Sequence, residues 1–320
     1  MPARIKRQYE VAMYQLLAHL TAHPQRLARV RRFGGWLPQQ LIIALTWPLA
    51  LGLYWGVPRL RRHLQRNLVY VLIDGSWLWR TGICVRYLQH LLLLLYEVMI
   101  GIDRLATEQV VLEGTEHIEA ALAQGRGVIL YTPHQGNFFY SYWRLAQHYN
   151  CLTVGTAGSP ELRPLYEHFN RLGCAGFDYD ATSPRELIRS LRQHLKANGV
   201  VFLLGDFWRP NFPEASFFGL QSRTPQGAAT FALEDNVPIV PCYSVREGHR
   251  HRLICEEAVH LGRSFSRQQR REATDELNEW MASVISDNPS QWLYWFNCQE
   301  RWEGHDLRLQ EQSVGHVLHA

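Results

Sequence analysis

His134 is the residue best placed to do chemistry. It falls in the stretch from Gly127 to Tyr140, GVILYTPHQGNFFY. Val128 to Tyr131 is a short apolar run of the kind that forms a buried parallel strand, and Pro133 and Gly136 break it. From Asn137 the apolar spacing turns helical, through Phe138, Tyr142, Leu145 and Ala146. His134 is therefore expected between a strand end and a helix start, where ligands bind in open α/β sheets. An imidazole there can act as a general acid or base near neutral pH. The same residue serves equally as an ordinary loop histidine. Asp206 follows a second apolar run, Val200 to Leu204. A carboxylate delivered from that strand could hold one tautomer of the imidazole. The alternative is an aspartate that organises its own loop or pairs with Arg209 or Arg223. Asp178 and Asp180 are further candidates for the carboxylate.

The elements that must position these groups alternate. Val110 to Glu113 reads as a strand, and Thr115 can cap a helix that ends at Gly125. Leu152 to Thr156 is another strand. Ser183, Pro184 and Glu186 occupy the N-cap, first and third positions of a helix that stops at Asn198 and Gly199. Thr224 and Pro225 open a helix running to about Leu233. Ile239 to Val245 and Leu253 to Glu257 read as strands, and Ser266 to Ile285 as a long helix. This alternation predicts an α/β fold with a mostly parallel central sheet flanked by helices. An N-terminal apolar helical region precedes it. The expected division is residues 1–105 as a basic, apolar, membrane-associating helical region, 106–305 as the α/β part, and 306–320 as a tail.

Within the N-terminal region, Trp36 to Val57 is apolar and uncharged, with arginines on both sides: Arg26, Arg29, Arg31 and Arg32 before it, Arg59, Arg61, Arg62 and Arg66 after it. Three readings remain open: a helix lying in the membrane interface, a span, and a buried helix. Basic flanks on both sides favour the interface. Leu88 to Ile102 is a second apolar helix, too short and too interrupted by His90 and Glu97 to span. The N-terminus carries no apolar core of a cleavable signal directly behind its basic residues. At 320 residues, 47% hydrophobic and 19% charged, the chain has enough apolar material for a real core and is not a disordered chain. A net charge of +4 is too small to argue for nucleic acid. The six cysteines are scattered without metal spacing, so free thiols and no metal are expected.

Several segments in order carry a resemblance: VLEGTEHIEAALAQGRGVILYTPHQGN from Val111 to Asn137, then Leu204 to Phe207, Ser216 to Gly219, Thr224 to Ala228, and Val237 to Pro241. Together they resemble the bacterial lipid A late acyltransferases of the lysophospholipid acyltransferase superfamily. The resemblance runs from about Val110 to Arg301. It implies an acyltransferase with His134 as general base. A fatty acyl group would pass from an acyl carrier protein or coenzyme A thioester to an amine or hydroxyl, without a bound cofactor. It also implies work at the cytoplasmic face of the inner membrane. Asn137, Phe139, Phe217, Phe218, Gly219, Arg223 and Thr224 are the expected substrate-binding residues. Phe217 and Phe218 would wall an apolar tunnel beside His134, and Arg223 would add charge at a helix N-terminus; plain core packing is the other reading of the Phe pair.

One position departs from the family pattern. The family places Asp or Glu five residues after the histidine, and here Phe139 stands there. A phenyl ring at that position is expected to pack against an imidazole that lacks a carboxylate partner. Such an imidazole suits an amine acceptor better than an alcohol. The alternative is a relative that binds lipid or acylated carrier without catalysis. Near the C-terminus, Gln291 to Trp302 resembles the family's closing segment, with Asn297 near the place of its histidine and Arg301 retained.

Overall fold

The computed structural model describes residues 38–72, 75–102, 105–156 and 163–302. The first arginine cluster, Trp36 and the expected tail 306–320 lie outside the described residues. Helices α1 (Gln39–Gly56), α2 (Pro58–Val71) and α3 (Trp77–Tyr96) come first. Strands β1 (Val110–Glu113), β2 (Val128–Thr132), β3 (Cys151–Gly155), β4 (Gly176–Asp178) and β5 (Val200–Leu204) follow. Between them lie α4 (Thr115–Leu122), α5 (Phe138–Ala146), α6 (Arg163–Arg171) and α7 (Pro184–Lys196). A hairpin of β6 (Glu214–Phe217) and β7 (Leu220–Arg223) then leads to α8 (Gly227–Glu234), β8 (Ile239–Glu247), β9 (Arg250–Cys255) and α9 (Arg270–Asp287).

Among the described residues the main sheet has seven strands in the order β1, β9, β8, β2, β5, β3, β4. All its pairings are parallel except β8 with β9. The predicted α/β class is therefore the observed one. Alternation along β2 divides the core. Ile129 and Tyr131 join one buried cluster with Val201 and Ile239, whereas Val128 and Leu130 join a second with Phe202 and Val240. The first cluster also holds Tyr54, Leu64, Leu68 and Ile83, so α1 to α3 share a core with the sheet.

Three local expectations are corrected. Thr115 does not cap α4 with its side chain; Gly114 precedes the helix at φ +73°, and a Cβ there would lie 2.1 Å from the Cys255 carbonyl oxygen. The helix expected at Thr224 begins at Gly227, because the Thr224 N–H still bonds Pro213 O (3.1 Å) and its hydroxyl accepts from Asn278 (3.0 Å). The second apolar helix begins at Trp77 rather than Leu88, and Trp77 to Gly101 is long and apolar enough to cross a membrane. Of its apolar window 61% is buried in the protein, with Ile83, Tyr87 and Leu88 in the first core cluster. Ser183 caps α7 as expected, accepting from the Glu186 N–H at 3.3 Å.

Candidate active site

Thr132 at the end of β2 and Leu204 at the end of β5 are register partners in parallel strands. His134 and Asp206 each lie two residues further on, and parallel pairing brings both to the same edge of the sheet. The Gly205 N–H bonds Thr132 O at 2.9 Å and holds the two chains together there. A side chain at position 205 would collide with the Tyr131 ring, its Cβ 2.1 Å from Cζ. Gly136 has φ +60° and leaves no room for a Cβ against Ser244 O (2.4 Å). These two glycines let both loops turn tightly.

The Asp206 Oδ1 atom lies 2.6 Å from His134 Nδ1. Both carboxylate oxygens also accept from the His134 backbone N–H, at 3.1 and 3.0 Å. The Trp292 indole donates to Oδ2 at 2.7 Å. Asp206 is 2% exposed and His134 8%. Burial by itself pushes the Asp206 carboxyl up; the facing His134, the Arg301 charge and the Trp292 N–H outweigh it and hold the group below the usual carboxylate range. The carboxylate is thus ionised at neutral pH. It fixes Nδ1 as the protonated nitrogen, so that Nε2 carries the lone pair and faces the Tyr294 hydroxyl. The imidazole expected to lack a negative partner has one. The readings of Asp206 as a partner of Arg209 or Arg223 fall away: Arg209 lies 3.6 Å from Asp180, and Arg223 lies 3.7 Å from Glu214. Asp178 accepts from the Asp180 N–H in a turn.

A segment from the far end of the chain completes the site. Leu293 N–H bonds His134 O (2.9 Å), and Gly136 N–H bonds Gln291 O (3.0 Å). Trp292, extended between two 3-10 turns, and Tyr294, in the 3-10 turn Leu293–Phe296, both turn to the dyad. The Tyr294 hydroxyl lies 3.3 Å from His134 Nε2, and its ring meets the imidazole edge to face at 4.8 Å. Neither residue stood among the expected site residues; the density of aromatic residues from Trp292 to Phe296 was the signal. The segment is held by α2 and α3: Asn67 donates to Trp295 O (2.6 Å) and Tyr87 to Leu293 O (2.7 Å).

The other expected residues are distributed differently. Phe138, not Phe139, packs on the imidazole, with centroids 4.8 Å apart. Phe139 turns away and stacks between Phe138 (4.3 Å) and Phe169 (5.3 Å). Asn137 is a buried N-cap: its Oδ1 accepts from the Tyr140 N–H (3.0 Å), and its Nδ2 donates to Glu97 Oε2 (2.7 Å). Glu97 also binds the Arg246 guanidinium and lies 3.4 Å from His251 Nε2. Phe217 and Phe218 pack on Trp292, at 6.1 and 5.7 Å, behind Asp206 rather than against the imidazole. Gly219 forms the hairpin turn at φ +71°. Arg223 donates to Phe212 O (2.8 Å) at the foot of that hairpin, and Thr224 follows it. No helix N-terminus lies at Thr224 to take an anion.

The model of the family described as bacterial lipid A biosynthesis acyltransferase matches residues 36–303. Two phosphatidylinositol mannoside acyltransferases of Mycobacterium tuberculosis, from strains ATCC 25618 / H37Rv and CDC 1551 / Oshkosh, are each 33% identical over 144 residues. Those residues are 43% of this chain and 45% of each relative, so the match spans a little under half the length of these curated proteins. The family model spans the helices, the whole sheet and the closing aromatic segment, and the chain belongs to the bacterial lipid A biosynthesis acyltransferase family.

Proposed function

We propose that the protein transfers a fatty acyl group from a carrier-protein or coenzyme A thioester to an amine or hydroxyl of a lipid-surface acceptor, with His134 as general base. The observation that carries this reading is the 2.6 Å contact between His134 Nδ1 and the ionised Asp206. It frees Nε2 to take the acceptor proton. The acceptor N or O forms a bond to the thioester carbon while its proton passes to Nε2. The carbon–sulfur bond then breaks, and the thiolate leaves with that proton. The preference for amines over alcohols rested on an unpartnered imidazole; with Asp206 in place, both acceptor classes fit. The chain's similarity to two phosphatidylinositol mannoside acyltransferases supports a lipid acceptor.

Work at the cytoplasmic face of the inner membrane fits the apolar surface of the N-terminal helices. Leu45, Leu49 and Trp55 on α1 are about half exposed, as is Trp77 on α3, and Leu78 is 73% exposed. Arg61 covers the Trp55 ring at 5.2 Å. Exposed tryptophans beside arginines suit an interface with anionic lipid. The test is His134→Ala. It should abolish thioester-dependent acylation and leave sedimentation with lipid vesicles unchanged. Full activity in that variant places the chemistry elsewhere; binding of acyl carrier without turnover in the wild type makes the protein a binder.

A further inference from the structure

One buried ion pair stands behind the loop that carries His134. Glu97 lies just past the end of α3, in the π-helical turn Glu97–Gly101, and is 2% exposed. Arg246 on β8 binds both of its carboxylate oxygens. Burial pushes the Glu97 carboxyl up; the facing Arg246 and His251 outweigh it and hold the group below the usual carboxylate range. A buried pair of this kind adds little stability over apolar residues of the same volume. Wide π turns are rare and gather at functional sites. What the pair supplies is geometry, and its bonds show where.

Two arms run from the pair to the segment between His134 and Asn137. In the first, Glu97 Oε2 accepts from Asn137 Nδ2 (2.7 Å), while Asn137 Oδ1 caps α5. The Tyr140 hydroxyl returns to Glu97 O (3.0 Å), so the first turn of α5 is tied twice to the π turn. The second arm passes through Gln291. Arg246 N–H donates to Gln291 Oε1 (2.8 Å), and Arg246 O accepts from Gln291 Nε2 (3.2 Å). Gln291 O accepts in turn from Gly136 N–H (3.0 Å), and Leu293 N–H bonds His134 O (2.9 Å). Trp292, the donor to Asp206 Oδ2, lies between Gln291 and Leu293. Among the described residues neither Glu97 nor Arg246 bonds the imidazole or Asp206. We propose that the Glu97–Arg246 pair consists of two positioning residues, which fix the His134 loop and the Trp292 segment against each other so that both meet the Asp206 carboxylate. The pair exchanges no proton and touches no reacting atom. A shift of about 1 Å passed on to the loop is enough to cost about 100-fold in rate. The dyad's work as proton acceptor is the acyl-transfer reading, and the kinetic part of the test rests on it; the dyad's geometry does not.

The experiment compares the full chain with the double variant Glu97→Leu, Arg246→Met and with Asn137→Ser. The double variant removes both charges and keeps apolar volume, so it should stay folded. Asn137→Ser keeps a helix cap and cuts the arm to Glu97. With dodecanoyl-coenzyme A and decylamine, the double variant should lower kcat about 100-fold, with KM within about twofold and the midpoint of the pH–rate profile unmoved. Asn137→Ser should lower kcat by less and in the same manner. The downfield proton resonance of the short His134–Asp206 hydrogen bond should be sharp in the wild type and broadened or shifted upfield in both variants. Three results overturn the assignment. Unchanged kcat and resonance in the folded double variant leave the pair as packing. A raised KM with kcat kept makes it part of a substrate site. A rate loss that follows the unfolded fraction, with the resonance of the folded remainder unmoved, makes it a stabiliser only. If the double variant fails to fold, Asn137→Ser decides, and an unmoved rate and resonance there overturn the assignment. Wild-type inactivity on this thioester counts against the acyl-transfer reading, while the resonance still decides the positioning.

Discussion

His134 and Trp292 hold different oxygens of the same carboxylate, His134 Nδ1 on Oδ1 of Asp206 and Trp292 Nε1 on Oδ2. The aspartate is fixed from both sides, and each side can be removed separately.

Asp206→Asn keeps the shape of the site and removes its charge. The amide can donate to Nδ1 and impose the wrong tautomer. The acylation rate should fall about 10⁴-fold. His134→Ala and the double variant should be no worse than the more damaging single change, because the pair acts as a unit. Single-turnover rates with a thioester donor check this; additive losses would separate the two residues.

Trp292→Phe removes the donor to Oδ2 and keeps most of the ring. A buried carboxylate that loses one hydrogen bond should cost about 1–3 kcal/mol of stability. The Asp206 pKa should rise, since that N–H helps to hold it down. The acid limb of the pH–rate profile should therefore move to higher pH. An unmoved limb would show that Trp292 only packs.

Phe139→Glu restores the family's acid at its usual position. The sequence pattern suggests a gain in turnover with alcohol acceptors; the structure argues the opposite. Phe139 stacks on Phe138 and Phe169, away from the imidazole. The variant should lose about 1–3 kcal/mol of stability and gain no activity. Chemical denaturation and alcohol-acceptor turnover are the measurements, and a faster enzyme would contradict the dyad.

Acid stability should reflect the buried cluster behind the site. Burial and the Arg246 charge lower His90 to about 3, against an ordinary value of 6.5. Burial lowers His251 as well. Below pH 6.5 the unfolded chain binds protons that the folded chain refuses. Stability is therefore full above 6.5 and is lost as pH falls towards 3, by up to about 1.4 kcal/mol per unit for each proton. His90→Gln retains an acceptor for Arg246 and should flatten the decline in Tm between pH 6.5 and 4.5. An equal slope in the variant would remove His90 from the account.

Lipid attachment should depend on the exposed apolar residues of α1 and α3. Leu45→Asp combined with Leu78→Asp should leave Tm within about 2 °C, because surface changes away from packed features are nearly neutral. The same variant should leave the pellet in vesicle sedimentation. Retention of full vesicle binding would move the attachment surface elsewhere.

Strands β1 and β5 have the bounds that apolar runs and turn residues indicated, because a buried parallel strand writes its length directly into sequence. The dyad was only half legible. Each partner could be placed at a strand end, but their adjacency needs the strand order, which depends on contacts across 72 residues. Phe138 and Phe139 could not be told apart by counting, since the Asn137 cap sets which of the two faces the imidazole. The family pattern pointed to position 139, while the carboxylate had come from the neighbouring strand. Trp292 and Tyr294 were hidden for another reason: an aromatic run reads as core until the element it crosses is known.

The bonds that hold the closing aromatic segment join residues 228 apart in Asn67 and Trp295, and 206 apart in Tyr87 and Leu293. A ribosome that has reached residue 290 has therefore made both the histidine and its aspartate but not the tryptophan that steadies them. The nascent chain then carries an unfinished centre although helices α1 to α3 are already made. Any centre that includes Trp292 is complete only once the last residues of the match have been made.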